Sequence, residues 1–319
     1  MMEYVTLGRA GVKVSPLCLG AMNFGSPTDE KESIRIIDAA LDRGINFIDT
    51  ANVYNNGVSE EIVGKAIKGK RNRVVLATKV HGKMGDGPNE SGNHRVTIME
   101  QVEKSLKRLQ TDHIDLYQLH RPDPATPMGE QLSTLTDLVR QGKVRYIGTS
   151  TFPAWEICEA LWISDVRFFE AFVCEQPPYS LFKRETERYI LPFCQRHGLA
   201  VIPWSPLAGG WLSGKYRKGK GLPTGSRGER RNWEMEGPAA QRRLDIIEGL
   251  MPAAQACGAT LSQFALAWTL KHPAVTSPII GPRTMDQLED NLGALDVEIS
   301  QETVAKVDAL VPPGTDVSR

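Results

Sequence analysis

Surplus charge is missing from this chain: 38 basic and 38 acidic side chains cancel to a formal net charge of zero over 319 residues. A surface balanced in this way has no global field to draw in nucleic acid or an anionic membrane, so neither is an expected partner. A disulfide framework is missing too. The five cysteines (Cys18, Cys158, Cys174, Cys194 and Cys257) are odd in number and nowhere stand as Cys-x-x-Cys. That is the pattern of scattered core thiols in a reducing compartment. The amino terminus, Met1-Met2-Glu3-Tyr4, has neither a basic nor an apolar leader region, and no run approaches a membrane span. Together these absences make a cytoplasmic protein the expectation. No composition break or low-complexity linker divides the chain, and no Gly-x-Gly-x-x-Gly follows a strand. Two dinucleotide-binding halves are therefore disfavoured.

What is present is alternation. β-formers around Gly8-Arg9-Ala10-Gly11 predict a hairpin over 4–14. Strands are then expected over 14–19, 46–49, 74–78, 114–119, 144–148, 172–174, 200–204 and 275–280. Amphipathic helices are expected after Asp29 and over 59–67, 96–109, 129–141, 154–164, 185–197 and 284–295, with a last one over 303–310. Eight strands, most with a helix behind them, predict an α/β fold: one (β/α)8 barrel spanning residues 1–319 as a single domain, with an amino-terminal hairpin cap and a carboxyl-terminal helix. Two long loops, 81–94 and 207–237, leave the carboxyl face of the strands, where barrel sites lie.

The chemistry concentrates at the strand ends. Asn46-Phe47-Ile48-Asp49 closes a buried strand on a carboxylate, and Tyr54 follows in the loop. An acid in that position needs a cation. Val-Val-Leu-Ala-Thr-Lys places Lys79 at the end of the next strand, and Leu-Tyr-Gln-Leu-His places His120 at the end of the one after. Parallel strands put all of these on one face, which outlines a proton-transfer site. A phenol, with an unperturbed pKa of about 10, is a reluctant acid at neutral pH. An adjacent ammonium is expected to lower that value, with Asp49 keeping Lys79 charged. His113 precedes its strand and is expected on the opposite face.

Asp49 in Asp-Thr-Ala, Tyr54, Lys79 after Ala-Thr, and His120 in Gln-Leu-His-Arg-Pro-Asp resemble the tetrad of the aldo-keto reductases, in order and over nearly the whole chain. The resemblance implies reduction of an aldehyde or ketone by NADPH, with Tyr54 as general acid, Lys79 and Asp49 supporting it, and His120 orienting the carbonyl. It implies no metal. Nicotinamide contacts would come from Ser150 and Gln176, with Thr151 standing where the family has Asn, and from Trp204 stacking on the ring. Ser205, Pro206, Leu207 and Lys215 would meet the pyrophosphate, and Gly20, Ala21, Met22 and Asp49 would complete that half. At the adenosine end the implied residues are Gly281, Arg283 for a 2′-phosphate, Thr284 as a helix cap, and Gln287, Asp290 and Asn291. Asp290 replaces the usual Glu. The substrate would be a small carbonyl compound whose identity, like the oligomeric state, is not legible. An alternative is a nicotinamide-binding regulatory subunit resembling potassium-channel β subunits. The lack of an extra segment before the hairpin weighs against it. A barrel aldolase or isomerase using Lys79 as a Schiff-base nucleophile is disfavoured, because Asp49 argues for a charged lysine.

Overall fold

In the computed structural model, which describes residues 2–317, the chain opens on the hairpin β1 (Val5–Thr6) and β2 (Lys13–Val14), paired antiparallel. Eight parallel strands follow: β3 (Cys18–Gly20), β4 (Phe47–Asp49), β5 (Val75–Val80), β6 (Ile114–Leu119), β7 (Val144–Ser150), β8 (Cys174–Gln176), β9 (Ala200–Val201) and β10 (Ile279–Ile280). From β3 to β9 each pairs with the next in chain order, and β10 pairs with β3. The seam between β9 and β10 is bridged without a strand ladder: Thr276 N and Ile279 N donate to Val201 O and Pro203 O, each at 2.8 Å. The sheet thus curls into the expected (β/α)8 barrel.

Helices α1 (Glu30–Asp42), α2 (Val58–Ile67), α3 (Arg95–Leu109), α4 (Met128–Arg140), α5 (Ala154–Arg167) and α6 (Ile190–His197) alternate with the strands. Asp29 caps α1 by accepting from Glu32 N at 2.8 Å, as its place before the helix suggests. Short α7 (Arg227–Arg230) lies within the long loop. Long α8 (Pro238–Ala256) and α9 (Leu261–Lys271) fill a stretch that the alternation leaves unassigned. Then come α10 (Met285–Leu292) and α11 (Gln301–Leu310).

Two cores result. One lies between the strands and the helix ring. The other fills the barrel: Cys18, Phe47, Val75, Ala77, Leu116, Cys174, Ala200, Ile202 and Ile279 meet there with Leu7, Ala10 and Val14 of the hairpin region. The hairpin is therefore a plug. Its turn residue Gly8 has φ +54°, and a Cβ there would come within 2.4 Å of Ala200 N, so no larger residue fits without displacing the barrel wall.

Several boundaries differ from those expected. The strand over 14–19 is split, because Pro16 has no N–H to donate and Ser15 N donates instead to Asn46 Oδ1 at 2.7 Å. The sixth barrel strand begins at Cys174, since Phe172 packs outward into the helix layer. The eighth shrinks to Ile279–Ile280 behind Pro278. The helix over 185–197 divides into a 3-10 turn, Glu185–Glu187, and α6. That over 284–295 ends at Leu292 and continues as the 3-10 turn Gly293–Asp296.

Candidate active site

Strand periodicity decides what enters the barrel mouth. Side chains two apart share a face, so the inward Phe47, Ala77, Leu116, Cys174 and Ile202 require that Asp49, Lys79, Gln118, Gln176 and Trp204 also point inward, one layer higher. Asp49, Lys79, Gln118 and Gln176 are all buried. Lys79 Nζ donates to Asp49 Oδ1 at 2.5 Å, to Thr50 O at 2.7 Å and to Tyr54 OH at 3.4 Å. An ammonium has three protons, and these are their three acceptors. The other oxygen of Asp49, Oδ2, accepts from Gln176 Nε2 at 3.0 Å and from Gln118 Nε2 at 3.1 Å. The ion pair is thus fully satisfied, as a buried pair must be.

Tyr54 opens a 3-10 turn in which Asn55 and Asn56 have φ of 48° and 54°, a left-handed conformation that asparagine tolerates. Asn55 Nδ2 ties the turn to the 22–26 loop, donating to Phe24 O at 2.6 Å. The ring meets that of His120 edge-on, 5.7 Å between centroids. Because Tyr54 OH accepts from Lys79, its own proton is left to point elsewhere.

The electrostatics differ in one respect from the sequence expectation. Burial raises the Tyr54 phenol above its ordinary value; Lys79 opposes that rise, Asp49 adds to it, and the net direction is up. The ammonium therefore limits the shift without reversing it, and the phenol stays protonated. Lys79 is itself raised: burial works against its charge, but Asp49 and Tyr54 outweigh burial. His120 is lowered to about 2 by burial and by the neighbouring Lys79, Arg121 and His81, so its imidazole is neutral.

The face opens into a cavity of about 630 Å³. Of the residues singled out in the sequence, Asp49, Tyr54 and His120 line it together with Gly20, Met22, Ser150, Gln176, Trp204, Ser205, Pro206 and Leu207, and with Lys215, Gly281, Arg283, Gln287, Asp290 and Asn291. Lys79 is sealed behind Asp49 and Tyr54. Ala21 is buried and accepts from the Ser59 hydroxyl. Thr284 turns its hydroxyl to Gln287 N. Thr151, at φ +63°, accepts from Trp204 Nε1 at 3.3 Å instead of lining the cavity. Ser150 donates to Gln176 O at 3.1 Å. Asp290 accepts from Thr260 Oγ1 and Gln287 Oε1 from Arg283 N, so each holds a local contact. No residue of loop 81–94 lines the cavity; that loop is pinned sideways, with Asn93 N donating to Asp123 Oδ2 at 2.7 Å. His113 sits before β6, beside Asp112 and away from the site.

Among the lining residues that escape the sequence reading as site residues are Asn23, Arg121, Arg227 and Arg231; Ser213 and Ser262 and the apolar Gly209, Gly210, Ile279 and Ile280 also line the cavity. Gln118 holds Asp49 from behind, and its spacing two residues before His120 was the available signal. In the sequence Arg227 and Arg231 are no more than members of a run of cations in the loop 207–237. In space they gather with Lys215, Arg230 and Arg283. Burial lowers the Lys215 pKa, and Arg283, Arg227 and Arg230 lower it further. Burial and the same kind of neighbour, Arg231, Arg230 and Arg283, lower that of Arg227. No carboxylate is ion-paired to any of these five among the described residues. Like charges held together without a counter-ion make an anion site. No group of side chains suited to a metal occurs among the described residues, and no helix is long and apolar enough to cross a membrane.

Comparison with known proteins finds matches over nearly the whole chain. A model of the aldo/keto reductase family matches residues 16–312. Among curated proteins, the chain is 44% identical to the uncharacterized oxidoreductase YrpG of Bacillus subtilis, over 98% of this chain and 97% of that one. It is 40% identical to a probable voltage-gated potassium channel subunit beta of Arabidopsis thaliana, over 93% and 92% of the two chains. It is 36% identical to the versiconal hemiacetal acetate reductase of Aspergillus parasiticus, over 95% of each.

Proposed function

The chain belongs to the aldo/keto reductase family and is an oxidoreductase, and from that premise we propose that it reduces the carbonyl of an aldehyde or ketone with NADPH. The observation that carries the proposal is the hydrogen-bond order around Lys79. With all three ammonium protons committed, one of them to Tyr54 OH, the phenol proton is the one left to give.

The cavity suits an elongated cofactor with an anionic and an aromatic end. The cations Lys215, Arg227, Arg231 and Arg283 line it, Trp204 offers a ring face beside Arg121, and Ser205, Ala208, Gly209 and Gly210, between Trp204 and Lys215 in the chain, have positive φ. Successive turns of that kind direct backbone N–H groups into an anion-binding concavity. More cations gather than a pyrophosphate alone needs, which favours NADPH over NADH. When bound, NADPH supplies the hydride.

The remaining chemistry falls to side chains. His120, neutral, presents a hydrogen bond to the substrate oxygen without repelling Lys79. As negative charge develops on that oxygen, Tyr54 donates its proton. The phenolate left behind is stabilised by Lys79, an interaction that strengthens only as the proton departs and so lowers the barrier. Asp49, anchored by Gln118 and Gln176, keeps Lys79 charged and oriented. We place the reaction in the cytoplasm, with a small carbonyl compound as partner and neither metal nor nucleic acid involved.

A second reading rests on the likeness to the Arabidopsis channel β subunit: the same site could hold a nicotinamide as a sensor. Loss of NADPH absorbance against a panel of aldehydes and ketones, with NADH in parallel, separates the two. Turnover supports the reductase. Tight NADPH binding with no turnover on any member supports the sensor.

A further inference from the structure

Arg121 follows His120 directly, lines the cavity with Tyr54, Ser150 and Trp204, and lies close enough for its charge to act on both Tyr54 and His120. Its side-chain hydrogen bonds all leave from Nη1, to His120 O at 2.6 Å, Thr151 Oγ1 at 3.3 Å and Ser150 Oγ at 3.4 Å. The guanidinium carbon lies 5.9 Å from the Trp204 ring centroid. These contacts fix the head group. They leave Nε and Nη2, the edge that grips a carboxylate in a two-pronged fork, without a partner among the described residues.

The acids in the neighbourhood are committed elsewhere. Asp49 is taken by Lys79, Gln118 and Gln176. Glu175 is buried and accepts from Thr149 Oγ1 at 2.6 Å and Phe152 N at 3.3 Å. Lys79 and Asp49 cancel, and His120 is neutral. Beside the proton donor, then, one positive charge stands without an ion-pair partner, on an exposed side chain at the edge of the cavity.

We propose that Arg121 is a specificity residue that anchors a carboxylate, so that the preferred substrates are carbonyl compounds bearing a carboxylate group. This rests on the carbonyl-reductase reading above. A phosphate fits less well: the group around Lys215 gathers several cations, whereas Arg121 offers a single planar fork, the shape of a carboxylate.

With NADPH saturating, para-carboxybenzaldehyde is compared with its methyl ester, which keeps the ring and aldehyde and removes the charge. The wild type should favour the acid in kcat/KM by about 10- to 100-fold, the factor expected of hydrogen bonds to a charged group. Added salt should erode that preference. Arg121→Gln should bring the acid-to-ester ratio close to one, mainly through KM, and Arg121→Lys should keep part of it. A wild-type ratio near one, with the ester reduced, overturns the carboxylate assignment and leaves the reductase reading standing. A ratio that survives Arg121→Gln overturns it as well. Reduction of neither compound, nor of any other aldehyde or ketone, overturns the reductase reading itself and this inference with it.

Discussion

Burial and charge compete at single residues of this site, and the outcome differs from one to the next. For Tyr54 burial wins and the phenol stays protonated; for Lys79 its partners win and the ammonium persists; for His120 burial and neighbouring cations act together. Neither Tyr54 nor His120 should therefore titrate between about pH 6 and 9, and kcat/KM for reduction should show no inflection that belongs to either. The check is the pH profile of the wild type beside His120→Gln; an inflection present in the first and absent from the second would contradict it. Glu175 behaves differently. Burial raises its carboxyl to about 7, against the hydrogen bonds from Thr149 and the following turn. An unfolded glutamate titrates near about 4.3, so between those values the folded protein holds a proton that the unfolded chain has released. Stability from this group is full below that window and falls as pH rises through it, by roughly 3 kcal/mol at the upper end. Glu175→Gln does not titrate. Its urea midpoint should exceed that of the wild type at about pH 8 and the difference should shrink towards about pH 5; parallel profiles would show that the carboxyl does not carry this cost.

Among the elements, the loop between β9 and α8 carries the cofactor proposal. It is not a loose excursion: Trp211 and Trp233 stack with centroids 4.9 Å apart and planes 5° from parallel, and Tyr216 OH accepts from Gly228 N at 3.1 Å. That packing brings Arg227 and Arg231 to the cavity opposite Arg283, whose Nη1 reaches back to Gly225 O at 3.3 Å. If Arg283 meets a 2′-phosphate, Arg283→Ala should weaken NADPH binding by roughly 1.5–3 kcal/mol, the range for hydrogen bonds to a charged group. NADH binding should hardly change. Fluorescence titration with both cofactors decides, and equal losses would make Arg283 a pyrophosphate or structural contact. Elements like these were only partly legible in the chain. Strands that close at or within one residue of Asp49, Lys79 and His120 announce themselves, because a charged or polar residue closing a buried apolar run needs a reason. The helix α9 does not: Leu261, Phe264, Ala265, Leu266, Ala267 and Trp268 are all buried, and a helix apolar almost all round shows no stripe to read. Pro252 hides α8 for a different reason, because a proline inside a helical run reads as a stop.

The whole molecule is a barrel whose lower interior is filled and whose upper layer is polar. Phe47, Ala77, Leu116 and Cys174 close the floor together with the hairpin, and one residue layer above them the alternation places Asp49, Lys79, Gln118 and Gln176. The eight strands and their order were legible from alternation alone, because a period of two interleaved with a period near four leaves few other folds. The closing seam was not, since each of its two bonds, Thr276 N to Val201 O and Ile279 N to Pro203 O, joins a strand residue to one outside any regular strand. Nor was the gathering of five cations, which depends on how two distant loops meet. The central claim, that this architecture aims one phenol proton at a substrate held beside NADPH, is tested most directly by Tyr54→Phe. The change removes a hydroxyl and keeps the ring, so NADPH affinity from fluorescence titration should stay within about three-fold of the wild type, while kcat for an aldehyde the wild type reduces should fall by about 10²- to 10⁴-fold, the usual worth of a general acid. Turnover retained in Tyr54→Phe, with the cofactor bound as before, would contradict the account and move the proton to His120 or to water.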